Sequence, residues 1–374
     1  MIDPVALTQR LIAFDTTNPP GQEQPCASFL AELLRDGGFD VRMDNFEPGR
    51  ANVVARLADL EGDSPLVFSG HLDTVPNGMN AWATNPFQGV IRGDKLYGRG
   101  ASDMKSGVAA MVAAALELAA KGSLRRGLTV ILTAGEEVGC AGACHLVTPG
   151  HNLGNASALL VGEPTANQPA IAHKGALYMN ANAQGVAAHS SMPEKGVNAI
   201  YKAARAVGRI ETFQFAKAHP LMGSPTINVG KIAGGMNVNS VPDAATFTID
   251  VRSIAGQKHL EVITELRQYL GPEIDLVPFV DMPPVATDPS DGFVECVLAV
   301  LAEVGKQAPV PIALPFFSDA SVLQPALKCP VVILGPGEPA MAHQTDEFCY
   351  VDKIGQAAAT LVQIALSWDR RTKA

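Results

Sequence analysis

The sequence predicts an α/β protein whose main domain is built on a buried, mainly parallel sheet and carries a smaller inserted α+β domain. Three observations predict this fold class. Short apolar runs alternate with helical periods in the first part of the chain. The pattern changes to alternating strands with two helices between about 170 and 280. The α/β pattern resumes from 291 onward.

The first part of the chain is predicted to alternate helices with buried strands. Apolar residues have helical spacing over 4–14 and 26–36, and the Ala-rich stretch 105–120 is typical of a buried helix. Runs rich in Val, Leu and Ile predict four strands, at 53–57, 66–69, 128–132 and 158–161. Strands this apolar are typical of a sheet that is covered on both faces.

The inserted domain is predicted from a strand-helix-strand-strand-helix-strand order, which is typical of a small α+β sandwich. Its clearest strands are 176–185, 226–235 and 245–253, and its helices lie near 196–211 and 257–270. A Pro/Asp-rich joint, 281–291, leads back to the main domain, with a helix at 291–305, a strand at 329–335 and a last helix near 352–367. The predicted division is therefore 1–169 with 281–374 for the main domain and 170–280 for the insertion.

Composition and charge narrow the class of protein. The chain has 374 residues, of which 47% are hydrophobic and 17% charged, so it can bury a sizeable core. Its net charge of -9 argues against nucleic acid or an anionic membrane as a partner. It has no apolar run long enough for a membrane span and no signal-peptide pattern. Its six scattered cysteines favour reduced thiols, so we expect a cytoplasmic protein.

Acidic and histidine side chains follow the predicted strands. They are His71 and Asp73 after 65–70, Glu136 and Glu137 after 128–133, Glu163 after 158–162, and His343 beyond 329–337, while Asp103 stands at the start of the Ala-rich helix. In an open α/β sheet, ligands bind at the carboxyl ends of the strands. Carboxylates and imidazoles are ligands of zinc, manganese and cobalt, so together these residues predict a hydrolytic metal site.

Each of these residues also has a more ordinary interpretation. Alone, Asp103 is typical of a helix N-cap and the glutamate pair of a solvated turn. A lone histidine is more often a core or surface residue than a ligand. That interpretation is the one we give to four other histidines: His145, His151, His219 and His259.

The number of candidate ligands suits two metal ions. Two ions about 3.5–4 Å apart need one shared carboxylate and a few terminal ligands, with room left for water. Five ligands meet that need. Asp73 follows His71 by two residues and is expected to reach back to the other N–H of its imidazole.

Six motifs, "SGHLDTVP", "LYGRGASDMKSG", "TAGEEVG", "GEPT", "AHSS" and "AHQTDE", give the sequence a family resemblance. In order and spacing they resemble those of the di-zinc aminoacylases and exopeptidases. That family includes acetylornithine deacetylase, succinyl-diaminopimelate desuccinylase, aminoacylase and glutamate carboxypeptidase. The resemblance covers essentially the whole chain.

The resemblance implies two Zn²⁺ ions per subunit, with Co²⁺ as a substitute. The implied ligands are His71 and Glu163 for one ion, Glu137 and His343 for the other, and Asp103 as the bridge. Glu136 is implied as the general base that moves a proton from water to the leaving amine, and Asp73 as the residue that orients His71. Gly135 departs from the family, in which an acidic residue is common at this position.

The resemblance also implies that the insertion is a lid through which the chain forms a homodimer. His189 would reach the partner subunit's site and stabilise the oxyanion, while Asn239 and Arg252 would bind the substrate carboxylate. From the residues alone, the ordinary interpretation is favoured, in which Arg252 is an exposed cross-strand partner and Asn239 a turn residue.

The implied activity is a zinc-dependent hydrolysis of a linear amide, which removes the acyl group from a small N-acyl amino acid. The first candidate substrate is N-acetylornithine, giving ornithine and acetate in arginine biosynthesis. The alternatives are N-succinyl-diaminopimelate in lysine biosynthesis and a broader range of N-acyl amino acids or peptides. The loop 314–321 is expected to help line the acyl or side-chain pocket.

Two other classes of function fit less well. A binding or regulatory protein with a dead site should lack Glu136 or a ligand, and the sequence lacks neither. A two-metal phosphoesterase should carry more basic residues near the site than Arg99 and Lys105.

Overall fold

A computed structural model describes residues 2–57, 64–122, 124–305 and 309–371, and it divides the chain into two compact units. Unit 1 comprises Met1–Ala172, Ala286–Ile312 and Ser318–Ala374, and unit 2 comprises His173–Val285 and Ala313–Phe317. Unit 2 is larger than the predicted insertion. One reason is that a strand continues to Met282. The other reason is that the short segment Ala313–Phe317 also belongs to unit 2. The amide of Lys174 donates to the carbonyl of Leu314 in this segment, at 3.0 Å.

The helices of the described residues are numbered in chain order. They are α1 (Pro4–Ile12), α2 (Gln24–Asp36), α3 (Lys105–Lys121), α4 (Ala141–Leu146), α5 (Ala199–Glu211), α6 (His259–Leu270), α7 (Gly292–Gly305), α8 (Ala320–Leu327) and α9 (Val351–Arg370). Single 3₁₀ turns lie at Pro193–Lys195 and Pro339–Met341. None of these helices has both the length and the apolar character that crossing a bilayer requires.

The strands are numbered in the same way. They are β1 (Asp40–Glu47), β2 (Arg50–Leu57), β3 (Leu66–His71), β4 (Val90–Arg92), β5 (Lys95–Tyr97), β6 (Leu128–Thr133), β7 (Ala158–Val161), β8 (Ala170–His173), β9 (Ala176–Gln184), β10 (Ala188–His189), β11 (Thr226–Gly234), β12 (Ser240–Val241), β13 (Ala244–Arg252), β14 (Ile274–Met282), β15 (Val285–Ala286), β16 (Ile312–Leu314), β17 (Val331–Ile333) and β18 (Phe348–Tyr350).

The main sheet of unit 1 runs in the order β1-β2-β6-β3-β7-β17-β8. Its centre, β6-β3-β7-β17, is parallel throughout. Every residue of these four strands is buried, as expected for strands covered on both faces. The predicted fold class is confirmed, with the addition that β1, β2 and β8 pair antiparallel at the two sides of the centre.

Helices cover the main sheet and share one apolar core with it. Val108 and Met111 of the Ala-rich helix α3 pack in the same buried cluster as Leu30 of α2 and Leu361 of α9. Phe68 of β3 belongs to that cluster and is fully buried. The sheet is therefore a rigid base for the loops that leave its carboxyl edge.

Unit 2 is a four-stranded antiparallel sheet, in the order β11-β13-β9-β14. Residues of β9 and β13 are alternately buried and more exposed, so one face of the sheet is covered. Helices α5 and α6 cover it, with Ala203 and Leu266 in the core of the unit. Strand β11 lies at the edge of the sheet and is largely exposed. This arrangement agrees with the strand and helix order predicted for the insertion.

Candidate metal centre

The polar residues at the strand ends lie along one edge of the sheet. Strand β3 ends at His71, β6 ends just before the glutamate pair, and β7 ends two residues before Glu163. The loop after β17 carries His343. Since these four strands are parallel neighbours, their carboxyl ends meet at the same edge.

Asp103 lies between two histidines in the loop that precedes α3. Its Oδ1 is 3.2 Å from Nε2 of His71, and its Oδ2 is 3.5 Å from Nε2 of His343. The N-cap of α3 is Met104, so the N-cap interpretation of Asp103 does not hold. Its two oxygens instead face two different imidazoles.

Two groups of potential metal ligands share Asp103. One contains His71 and Glu163, and the other contains Glu137 and His343, with the ligand atoms of each group within 4.8 Å of one another. Nε2 of His343 lies 3.1 Å from Oε2 of Glu137, and Nε2 of His71 lies 3.9 Å from Oε2 of Glu163. The structure therefore brings all five predicted ligands together in the predicted pairs.

Burial disfavours the ionised form of these carboxylates unless a positive charge lies close to them. Burial raises the pKa of Glu163 well above its ordinary value, and the charges of Asp103, Asp319 and Glu137 add to that rise. Burial likewise raises the pKa of Glu137, with Asp103 adding to it. Among the described residues, Oε1 of Glu137 is buried without a hydrogen-bond partner. An acceptor atom in this position suits coordination to a cation, so the residues present fit a metal.

For the two histidines, contacts with carboxylates rather than burial decide the direction of the pKa shift. Burial lowers the pKa of His71, but its contacts with Asp103 and Asp73 outweigh burial and raise the pKa well above the ordinary value. The hydrogen bond with Glu137 raises the pKa of His343, whose side chain is 53% exposed. One ligand pair is thus deeply buried, whereas the other opens to solvent at His343.

Glu136 lies beside the ligand groups without belonging to either of them. It is 6% exposed. Burial raises its pKa well above the ordinary value, opposed by His71 and reinforced by Glu163, Glu137 and Asp319. A raised pKa makes a carboxylate a stronger base, which suits proton transfer at neutral pH. Its neighbour Glu137 faces His343, so the two adjacent glutamates have different surroundings.

Asp73 makes contacts that its spacing from His71 did not predict. The closest atom to Nδ1 of His71 is the main-chain oxygen of Asp73, at 3.0 Å, while Oδ1 lies at 3.5 Å. The carboxylate instead accepts hydrogen bonds from the backbone amides of Glu136 and Glu137 and from Nδ2 of Asn18. The predicted contact between the carboxylate and the imidazole is therefore present at 3.5 Å, but the main-chain oxygen of Asp73 lies closer, because three N–H donors orient the carboxylate.

Glu347 is a functional candidate that the sequence analysis missed. Its carboxylate accepts the amides of Gly100, Ser102 and Asp103, at 2.7 to 2.9 Å, and pairs with Nη1 of Arg99 at 2.7 Å. Burial raises its pKa to about 7, although these hydrogen bonds and Arg99 act in the opposite direction. Glu347 holds the loop that carries Asp103, and only its place in "AHQTDE" could have drawn attention to it.

Asp319 is a second missed residue. It lies in the loop that was expected to line a pocket, but it is 2% exposed and accepts a hydrogen bond from the hydroxyl of Thr133 at the end of β6. Among the described residues its Oδ1 has no hydrogen-bond partner. Burial raises its pKa, and its charge contributes to the raised pKa of Glu136. Buried Asp319 is therefore one of the charges that raise the pKa of the proposed base, Glu136.

The structure explains why position 135 is occupied by glycine. Its φ is +74°, and a Cβ at this position would lie 2.1 Å from Nη2 of Arg50. Arg50 is buried and pairs with the fully buried Glu23 at 3.1 Å. A larger residue at 135 would have to displace this arginine, which explains the departure from the family pattern.

The three predicted lid residues all lie in unit 2. Strand β10 ends at His189, which pairs with Ser240 of β12, and the carbonyl of Asn239 accepts the amide of Ser190 at 3.1 Å. His189 and Asn239 are therefore close together. Arg252 ends β13, and its guanidinium donates to the hydroxyl of Tyr178 at 2.7 Å and pairs with Asp250 at 3.0 Å.

Comparison with known proteins places these features in a family. The pattern of the peptidase family M20/M25/M40 matches residues 67–367. A probable succinyl-diaminopimelate desuccinylase from Staphylococcus epidermidis is 32% identical, with 94% of each chain covered. An acetylornithine deacetylase from Myxococcus xanthus is 30% identical, with 96% of this chain and 95% of that protein covered. The resemblance stated from the motifs is confirmed.

Solved structures agree in fold. A tripeptidase from Staphylococcus aureus matches with a TM-score of 0.81 at 22% identity, covering 99% of this chain and 98% of that one. A dinuclear metal-binding peptidase of family M20 from Bacillus subtilis matches with a TM-score of 0.73 at 16% identity, covering 97% and 96%. With the family pattern spanning most of the sequence, the chain belongs to the peptidase family M20/M25/M40 and is a metal-dependent hydrolase of amide bonds.

Proposed function

We propose that the chain is a two-metal aminoacylase that removes the acyl group from an N-acyl amino acid. The observation that carries this proposal is the position of Asp103, whose two carboxylate oxygens face His71 and His343 separately. A carboxylate in this position suits a bridge between two ions. The B. subtilis relative, described as a dinuclear metal-binding peptidase, supports the same number.

The proposed ligands are His71, Glu163, Glu137 and His343, with Asp103 shared. Imidazole and carboxylate ligands suit Zn²⁺, and Co²⁺ accepts the same set. Ions bound here would polarise the amide carbonyl and lower the pKa of water. The protein's own contribution is to hold these ligands on a rigid edge of the sheet, with Glu347 and Asp73 fixing the two loops.

Glu136 is the proposed general base. Its carboxylate takes a proton from the water whose oxygen adds to the amide carbon, and it then gives that proton to the amine nitrogen as the C–N bond breaks. The products are a carboxylate and a free amine. The raised pKa of Glu136 supports both steps, because the group must accept a proton and release it near neutral pH.

The roles proposed in unit 2 rest on the family resemblance. His189 would stabilise the oxyanion in the partner subunit's site, and Arg252 and Asn239 would bind the substrate carboxylate. The exposed edge strand β11 supports a homodimer, since Ile232 on it and Met236 beyond it are exposed apolar residues. Light scattering tests the dimer: a monomer with full activity would rule out the role of His189 in a partner's site.

N-Acetylornithine is the first candidate substrate, and N-succinyl-diaminopimelate is the second. The relatives that are 30% and 32% identical carry the names of enzymes for these two substrates and are covered almost end to end. The succinyl group carries a carboxylate that the acetyl group lacks, so a cationic contact to that carboxylate would favour the succinyl substrate.

Substrate competition tests this proposal. Turnover of N-acetylornithine and N-succinyl-diaminopimelate is measured on one preparation with added Zn²⁺ or Co²⁺, with Glu136→Ala as the inactive control. We expect kcat/KM for one of them to exceed that for N-acetylmethionine clearly. Equal rates on all three would indicate a broader N-acyl amino acid hydrolase, and cleavage of none would overturn the proposed reaction.

A further inference from the structure

Two histidines that were interpreted as ordinary residues from the sequence, His145 and His151, meet an aspartate of edge strand β1 in unit 1. Asp44 lies on edge strand β1, His145 in the last turn of α4, and His151 five residues beyond the end of that helix. Nε2 of His151 is 3.0 Å from Oδ2 of Asp44, and Nε2 of His145 is 3.5 Å from Oδ1. Each carboxylate oxygen thus faces one imidazole.

The spacing of these atoms suits a metal ion. The three ligand atoms lie within 4.8 Å of one another. Tetrahedral Zn²⁺ with bonds of about 2.0–2.1 Å holds its ligand atoms roughly 3.3 Å apart. The two nitrogen–oxygen separations, 3.0 and 3.5 Å, lie on either side of that value, so the ligands need little rearrangement to bind an ion.

The rings are also held in a ligating orientation. Nδ1 of His151 lies 3.1 Å from the hydroxyl of Thr148, which itself bonds to the carbonyl of His145. The ring of His145 stacks on Phe46, with centroids 5.2 Å apart. Metal-binding histidines use one ring nitrogen for the ion and fix the other through a hydrogen bond, which is the arrangement of His151.

A simple ion pair does not satisfy the carboxylate. Oδ2 of Asp44 is buried and makes no hydrogen bond to any described residue. The contact from His151 at 3.0 Å therefore lacks hydrogen-bond geometry, and Nη2 of Arg42 is 3.8 Å away. A buried carboxylate oxygen without a hydrogen bond, in a carboxylate whose two oxygens face two imidazoles, is better satisfied by a cation between them.

We propose that Asp44, His145 and His151 form an additional transition-metal site, separate from the centre around Asp103. Two imidazoles and one carboxylate suit Zn²⁺ and also Cu²⁺, with a fourth position open to water. The side chains are 15–32% exposed, so an ion can enter from solvent. The ion would link the edge strand to the segment that follows the catalytic glutamates, as a structural tie.

Metal counting on the full chain, without a histidine tag, tests the site. The protein is treated with chelator, dialysed against Zn²⁺ and analysed by mass spectrometry, as wild type, as His145→Gln/His151→Gln and as His219→Gln. His219 lies in unit 2 outside the cluster and controls for the loss of a histidine. We expect the double variant to bind one ion fewer per chain, and the control to match the wild type.

The difference of one ion does not depend on how many ions the centre around Asp103 binds, so this test can fail while the proposed function stands. Cu²⁺ gives an independent readout, because the electron paramagnetic resonance signal of this site should show coupling to two imidazole nitrogens and vanish in Asp44→Asn. We expect amide hydrolysis to stay within twofold of wild type in each variant. Equal ion counts in wild type and double variant, with circular dichroism showing both folded, would overturn the proposal.

Discussion

The carboxylate of Asp73 accepts the backbone amide of Glu136, with Oδ1 and the nitrogen 3.0 Å apart. Its other oxygen accepts the amide of Glu137 at 3.2 Å and Nδ2 of Asn18 at 2.9 Å. Asp73 is fully buried, and its contacts with His71, Asn18 and Glu136 outweigh burial and lower its pKa. One carboxylate therefore fixes the backbone of both the proposed base and a proposed ligand.

The first prediction concerns Asp73→Asn. The amide would present N–H groups to backbone N–H donors, and leaving such buried groups unpaired costs about 1–3 kcal/mol. We expect a lower free energy of unfolding in urea and a fall in kcat with little change in KM. Asn18→Ala removes one of the three donors and should have a smaller effect on both. Wild-type kcat in a folded Asp73→Asn protein would contradict this role.

The second prediction concerns the loop that carries Asp103. Glu347→Gln removes the charge that three backbone amides and Arg99 share, so Asp103 should be held less well. Mutating residues that support metal ligands typically weakens metal affinity by about 10–100-fold, and we expect a loss in that range. Zn²⁺ affinity is measured by competition with a chelating dye. Glu117→Gln, the same change beside exposed Lys121, should leave the affinity unchanged.

The third prediction is a pH dependence that does not involve the metal ligands. His173 is fully buried, and burial lowers its pKa to about 4. The unfolded chain binds this proton near pH 6.5 and the folded chain does not, so stability is lost as the pH falls from 6.5 towards 4. For this group we expect a loss of about 2 kcal/mol between pH 7.5 and pH 5.

Urea unfolding of chelator-treated protein at the two pH values measures this loss. Nδ1 of His173 lies 2.9 Å from the carbonyl of Lys174. His173→Asn keeps a side-chain N–H for that carbonyl but does not titrate, so its stability should fall less over the same range. Identical pH dependence in both proteins would show that His173 does not remain neutral in the fold.

The fourth prediction concerns Arg252. Arg252→Lys keeps the charge but loses the planar fork that binds a carboxylate through two hydrogen bonds. If this residue binds the substrate carboxylate, KM should rise about tenfold or more, with kcat and the melting temperature little changed. Tyr178→Phe, which removes only the hydroxyl that Arg252 contacts, should raise KM less. An unchanged KM in Arg252→Lys would exclude the proposed contact.

The sequence predicted most clearly what depends on local order. His71 and Glu163 were identified because each stands at the carboxyl end of an apolar run, and parallel strands bring such ends together. The antiparallel pairing of β2 was not predicted. The first six residues of Arg50–Leu57 are all buried, and a run of buried residues does not indicate whether a strand pairs parallel or antiparallel. The turn after β1 sets its direction.

Residues that act through distant contacts left no local pattern. Glu347 bonds to the Asp103 loop 244 positions away, and Asp319 bonds to Thr133 186 positions away. His145 and His151 were interpreted as ordinary histidines because their partner, Asp44, lies on a strand far earlier in the chain. Only the folded arrangement of these groups identifies them.

The central claim is that the adjacent glutamates have different roles, Glu136 as the general base and Glu137 as a metal ligand. Glu137 contacts His343 at 3.1 Å within a ligand group, whereas Glu136 belongs to neither group. The direct test measures bound Zn²⁺ and turnover together in Glu136→Ala and Glu137→Ala. We predict that Glu136→Ala keeps the wild-type ion count and loses roughly 10²–10⁴-fold in kcat, while Glu137→Ala binds at least one ion fewer. A Glu136→Ala protein that turns over at the wild-type rate, or a Glu137→Ala protein with its full ion count, would contradict the account.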